Sequence, residues 1–284
     1  MTATTTTEKP VQGPMPAPTP AHAPPGAADR SRLAWAVSDG LAVTVRNLIA
    51  YTRVPQLMVF SSIQPIMFVL LFRYVFGGAI HPPGLDYVNF LMPGIFVQTV
   101  CFGAVSTGVG LAEDMGKGLI ERFRSLPMAR SAVLVGRTMA DLFRNLFVVV
   151  LMTIVGVAVG FRPDTNVFAF LAGVGLILLF AFALSWGFAI IGLAARNAET
   201  AQAMAFPLLF PLTFASSAFV PVDSMPGWLQ VYARHQPVSV VVDATRALMV
   251  GDPTSSSVLV ALAWTVGLLA ILIPLAVRRY RRAT

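Results

Sequence analysis

The sequence predicts an all-α polytopic membrane protein, and three observations carry that prediction. The 284-residue chain is 56% hydrophobic and only 12% charged, where an ordinary soluble domain carries about 25% charged residues. A water-soluble fold of this length could not hide so much apolar surface. Six apolar runs, near 54–76, 88–112, 139–160, 167–195, 202–222 and 257–277, are each long enough to cross roughly 30 Å of hydrocarbon as a helix. Lys and Arg then divide 16 to 4 between the two sides that these spans define. That bias places both termini in the cytoplasm and requires an even number of spans. It also accounts for the net charge of +7, so the partner the charge implies is the lipid bilayer and not nucleic acid.

Residues 1–30 carry Thr4–Thr7 and prolines at 10, 14, 16, 18, 20, 24 and 25. Prolines at this density bury nothing and form no helix, so the segment reads as a disordered cytoplasmic tail. It has no apolar h-region and is not a secretory signal. In 31–53, Leu33, Val37, Leu41, Val45, Leu48 and Ile49 recur every three to four residues between Asp39, Arg46 and Arg53. This pattern predicts an amphipathic helix at the cytoplasmic interface, or else a cytoplasmic extension of the first span. The transmembrane domain follows over 54–284.

The first span holds Gln64–Pro65 near its middle, where proline removes a backbone hydrogen bond and should kink the helix. Gln98 lies within the second span. Either glutamine could line a pathway or bridge to a neighbouring helix, the commoner use of a lone neutral polar residue. Cys101, the sole cysteine, excludes an intrachain disulfide and reads as a small apolar filler. Arg144 falls just inside the third span, and Gly156 with Gly160 forms a weak small-xxx-small packing signal there. The fourth and fifth spans contain no charged residue, and the fourth is long enough to need tilt.

Two polar stretches stand out. The loop 113–137 sets Lys117, Arg122, Arg124, Arg130 and Arg137 against Glu113, Asp114 and Glu121. Gly116 and Gly118 permit a sharp turn off the second span. Leu119, Ile120 and Phe123 then make a greasy stripe beside the charges, and Pro127 ends the short helix. Such a loop offers a contact to a soluble partner, or merely caps the bundle. The outer stretch 223–256 includes Pro237–Val250, apolar but 14 residues long, about 21 Å of helix at 1.5 Å per residue and too short to cross. It reads as a re-entrant or interfacial helix in the outer leaflet. Asp243 and Arg246 share one face of it and should pair, so that removing Arg246 alone would strand Asp243. Trp228 and Tyr232 read as headgroup anchors.

Chemistry is otherwise absent. No phosphate-binding loop occurs, for in 110–118 the glycine spacing is one residue too long and Gly118 stands where Ser or Thr is needed. His22, His81 and His235 are scattered, without metal-ligand spacing. No catalytic residues are expected. Few ionisable residues lie within the spans, so proton coupling is not visible either. Energy for active transport must come from a partner.

The stretches GLIERFRSLPMARSAVLVGRTMAD at 118–141 and FVPVDSMPGWLQVYARHQPVSVVVDATRALMVG at 219–251, on a six-span layout with cytoplasmic ends, resemble the type-2 ABC exporter permeases. The likeness is to the daunorubicin-resistance branch in particular, and it covers about residues 33–284. It implies a permease subunit in the bacterial plasma membrane that moves an amphiphile (a drug, lipid or polyketide) outward. It also implies a second permease copy, identical or homologous, and two copies of a separate ATPase that binds ATP and Mg2+. By resemblance the loop contains a coupling helix that docks on the ATPase, carried here by Gly118, Glu121, Arg122, Phe123, Arg124, Leu126 and Pro127. Two rivals are an ion-coupled secondary transporter, which an intramembrane acid essential for flux would favour, and a non-transporting scaffold. Co-purification of an ATPase separates the permease from both.

Overall fold

The structure is a computed structural model that describes residues 32–53, 55–80, 82, 84–119, 132–251 and 255–283. The proline-rich tail, and the coupling-loop residues Glu121, Arg122, Phe123, Arg124, Leu126 and Pro127, lie outside the described residues. The described residues form nine α-helices and no strand. They are α1 (Arg32–Arg53), α2 (Pro55–Leu70), α3 (Tyr87–Gly116), α4 (Ala132–Ala158), α5 (Val167–Ala194), α6 (Ala198–Phe214), α7 (Gly227–His235), α8 (Pro237–Val250) and α9 (Ser255–Ala283).

Four of these contain stretches long and apolar enough to cross a membrane: Tyr87–Gly116, Val133–Ala158, Val167–Ala194 and Val258–Arg282. They occupy the expected second, third, fourth and sixth spans. The first and fifth positions hold shorter helices. α2 passes through Pro65 without a break and continues as π-helical turns over Leu71–Phe76. α6 has 17 residues and carries Pro207 and Pro211, so it stops well before the expected end at 222.

α3 is the axis of the bundle, with 72% of its apolar stretch buried inside the chain against 11% for α9 at the edge. Its main partner is α5, and glycines set that contact. A Cβ on Gly192 would fall on the carbonyl oxygen of Gly108, and one on Gly108 would fall on the carbonyl oxygen of Phe188. Small residues let two backbones approach in this way where no hydrophobic effect drives helices together in lipid. The pair read from sequence as a packing signal is not one. Gly160 lies beyond the end of α4 with φ +106, and Gly156 faces the flexible Met92 side chain.

Sequence capping signals explain several ends. The Asn166 and Asn197 side chains accept from Ala169 N and Thr200 N, each at 2.8 Å, at the starts of α5 and α6. Pro237 opens α8 and Gly251, at φ +84, closes it. α1 packs on α4, with Gly40 and Val43 close against Gly136. Leu41, Val45 and Ile49 remain exposed as a strip along its outer side.

The early stop of α6 frees the last backbone carbonyls of the helix, which in a hydrocarbon setting must find donors inside the protein. Side chains supply them. Gln236 Nε2 donates to Leu212 O at 3.0 Å and to Ala215 O at 3.1 Å, and Ser216 Oγ donates to Thr213 O. Arg246 Nη2 donates to Ser217 O at 2.9 Å, and Tyr87 Oη to Phe219 O at 3.3 Å. Gly94 leaves room for this irregular chain, because a Cβ there would fall on Ala218 O.

Candidate functional site

A polar seam joins α3 to α4. At its lower end Arg137 Nη1 bonds Asp114 Oδ2 at 2.8 Å, with its guanidinium lying over Gly110 where any side chain would collide. Arg46 of α1 approaches the same carboxylate at 3.8 Å, tying three helices to one acid. Further along, Thr107 Oγ1 donates to Asp141, which is fully buried. Arg144 lies 3.8 Å from that carboxylate and donates to Ser106 Oγ at 2.8 Å and to Gly103 O. It also reaches Asn145 Oδ1 at 3.3 Å.

The seam opens on a cleft against α2 and α6. Two adjoining cavities, of about 150 and 360 Å³, share Ser61, Gln64, Phe102, Ser106 and Arg144 as walls. Gln98 closes the smaller one, while Glu113 and Gln202 stand at the larger. Both glutamines singled out from sequence, Gln64 and Gln98, therefore face one cavity. Gln98 is buried, but its Nε2 finds no acceptor among the described residues; the same holds for Arg144 Nε and Asn145 Nδ2. Each such buried donor costs roughly 1–3 kcal/mol.

Sequence reasoning missed most of this seam. Arg144 reads only as a charge just inside the third span, and nothing singles out Asp141. The usable signal was the run Thr138, Asp141, Arg144, Asn145, a polar stripe at helical spacing in a segment apolar enough to be a span. Polar groups at that depth face a bundle interior or a cavity.

The segment that ends in α8 holds a second group of the same composition. Arg246 Nη1 meets Asp243 Oδ1 at 2.9 Å, and Ser217 Oγ donates to the same oxygen at 2.7 Å. Arg246 Nε donates to Phe90 O at 3.2 Å, and its guanidinium carbon lies 3.8 Å from the Phe90 ring centroid. Burial is unequal. The Arg246 side chain is 6% exposed and that of Asp243 45%. Removing Arg246 therefore leaves Asp243 half-exposed to solvent and not stranded in an apolar setting, unlike what the sequence led us to expect. Trp228 and Tyr232 on α7 are exposed and Pro237 is the first residue of α8. Of the residues assigned to the coupling helix, only Gly118 is described. It turns the chain off α3 at φ +67, with its N–H on Met115 O at 3.0 Å.

Comparison with known proteins bears directly on these elements. Residues 40–250 match the family described as ABC-2 type transporter, a range that includes the polar seam and the outer pair. A daunorubicin resistance ABC transporter permease protein of Streptomyces coeruleorubidus is 34% identical over 255 residues, 90% of each chain. A probable doxorubicin resistance ABC transporter permease protein of Mycobacterium tuberculosis is 29% identical over 274 residues, 92% of this chain and 94% of the relative. A putative transport permease of Pyropia yezoensis is 28% identical over 222 residues, 73% and 72% of the two chains. The chain belongs to the ABC-2 type transporter family and is a multi-pass permease subunit, whose ATP hydrolysis is the work of a separate protein.

Proposed function

We propose that this permease exports amphiphilic, drug-like molecules, working as one of two permease copies above two ATPase subunits. The observation that carries the reading is the polar cleft walled by Gln64, Gln98 and Arg144 inside an otherwise apolar bundle. The relatives named for daunorubicin and doxorubicin resistance support a drug-like cargo. We count α2 and α6 as spans with the four longer helices, which makes six, with both termini in the cytoplasm. The exposed strip Leu41, Val45 and Ile49 then beds α1 in the cytoplasmic surface of the bilayer. The segment 118–127 is the coupling helix. ATP closes the ATPase pair, the coupling helices are pushed, and the paired bundles tilt between inward-facing and outward-facing states.

The test is reconstitution. The purified permease alone turns over no ATP, and together with its ATPase it shows cargo-stimulated turnover. Glu121→Arg or Phe123→Asp inserts a repulsive or desolvated charge at the contact. Transport then falls at least about tenfold, as a loss of about 1.4 kcal/mol of coupling requires, while membrane insertion stays normal. Normal transport by both variants with the ATPase still bound removes the coupling assignment.

A further inference from the structure

Three buried nitrogens of the cleft find no acceptor among the described residues. Gln98, Arg144 and Asn145 are each at least nine-tenths buried, with relative exposures of 3%, 7% and 3%. All three line the smaller cavity. Each keeps an N–H without an acceptor among the described residues: Nε2, Nε and Nδ2 respectively. The orientation of Asn145 follows from Oδ1, which accepts from Arg144, so that its nitrogen is left over. Asp141 takes the bond from Thr107 and is not part of the cavity wall. Ser106 Oγ is already an acceptor for Arg144. Three convergent buried donors, one of them a guanidinium, form a site for oxygen atoms of a guest.

Next to the donors begins a continuous row of phenylalanine rings. Phe102 lines both cavities and Phe206 the larger one. From Phe206 the ring centroids follow at 5.7 Å to Phe210, 5.3 Å to Phe214, 5.3 Å to Phe219 and 4.5 Å to Phe72. This row leads from the cleft toward the outer turn of α6. Phe210 and Phe214 are exposed and offer an apolar body a surface, while Phe219 is buried in the core behind them.

We propose that the cleft between α2, α3 and α4 binds the anionic oxygen head, a carboxylate or phosphate, of an amphiphile whose apolar body lies along the phenylalanine row. Gln98, Arg144 and Asn145 donate to the head. An amine of equal chain length binds less well: Arg144 is already ion-paired with Asp141 at 3.8 Å, and an ammonium brings only further donors to a wall whose buried nitrogens lack acceptors. The proposal rests on the export reading but names its own head-group class, anionic amphiphiles, to which the amine drugs named for the relatives do not belong. It is measured as binding by the permease without the ATPase, so its failure leaves the transport assignment standing.

The test uses the full-length chain in phosphatidylcholine nanodiscs, with Ser61→Cys placed in the cleft wall and Cys101→Ala removing the buried native thiol. Maleimide labelling of position 61 is timed with dodecanoate, dodecyl phosphate or dodecylamine. Four-fifths occupancy by dodecanoate or dodecyl phosphate slows labelling about fivefold by mass action, and dodecylamine slows it less. Gln98→Leu separates binding from folding. Its amide nitrogen has no bond to lose, so thermal stability holds or rises, whereas protection by dodecanoate is lost. Protection that survives Gln98→Leu, equal protection by dodecylamine, or none by either anion overturns the proposal. Nanodiscs doped with phosphatidylglycerol distinguish the source. Slow labelling without added amphiphile assigns the site to a lipid headgroup, and slow labelling only with the added anions assigns it to a mobile guest.

Discussion

Asp141 with Arg144, and Asp243 with Arg246, are the same device at two levels of α3. In each, an acid and an arginine three residues apart share a helix face, a Ser or Thr hydroxyl donates to the acid, and the arginine reaches a backbone carbonyl of α3. The outer pair was legible in the sequence because it interrupts a segment too short to cross the membrane. The inner pair has the same spacing but lies in the first turns of the expected third span, close enough to its end for charge to pass without explanation. The partners could not be read at all, since Thr107 lies 34 residues from Asp141 and Phe90 lies 156 from Arg246. The unequal burial of Asp243 and Arg246 makes a prediction. Asp243→Ala removes the carboxylate that accepts from both the buried Arg246 and Ser217 and lowers stability by about 2 kcal/mol. Replacing both charges together, Asp243→Leu with Arg246→Met, is milder than Asp243→Ala alone. Thermal unfolding of the detergent-solubilised variants checks the order, and equal losses would remove the pair as a unit of stability.

Among the elements, glycine contacts decide how closely the bundle packs. Gly192→Ala drives a methyl group into the Gly108 backbone, which cannot rotate away as a side chain would. We expect a loss of about 1–3 kcal/mol from forced helix separation. Gly187→Ala, one and a half turns earlier on α5, meets only Leu272 Cδ1 at 3.5 Å, an ordinary contact, and should be tolerated. Comparing expression and melting temperature of the two variants tests the close α3–α5 approach, and indifference to both would mean the helices are farther apart. Helix existence was legible from apolar length alone, as α3, α4, α5 and α9 show. Helix ends were less so. α6 was expected to run to 222 because the residues after Phe214 are apolar, yet Pro207 and Pro211 weaken its ladder and side chains from the following segment satisfy the released carbonyls. That rescue depends on Gln236 and Arg246, whose contribution no local pattern announces.

At the level of the whole molecule, the basic asymmetry predicts which face meets the ATPase. Reporter fusions at residues 125 and 280 should be cytoplasmic, and fusions at 82 and 252 external. An external reporter at 125 would invert the orientation and detach the coupling loop from any cytoplasmic ATPase. The irregular chain that follows α6 bears on how such a molecule can open. Beyond the bonds of Ala215 and Ser216 to the last turn of α6, it draws its hydrogen bonds from α8, from the α7–α8 junction and from α3. The outer end of α6 and the outer cap are thus latched as one part. A small outward lean of α6 alone would break these bonds together, while a lean that carries the cap along breaks few of them. In the orientation proposed above, this geometry favours a gate that snaps as a unit over one that widens by degrees, so that cargo meets an outer door either shut or open.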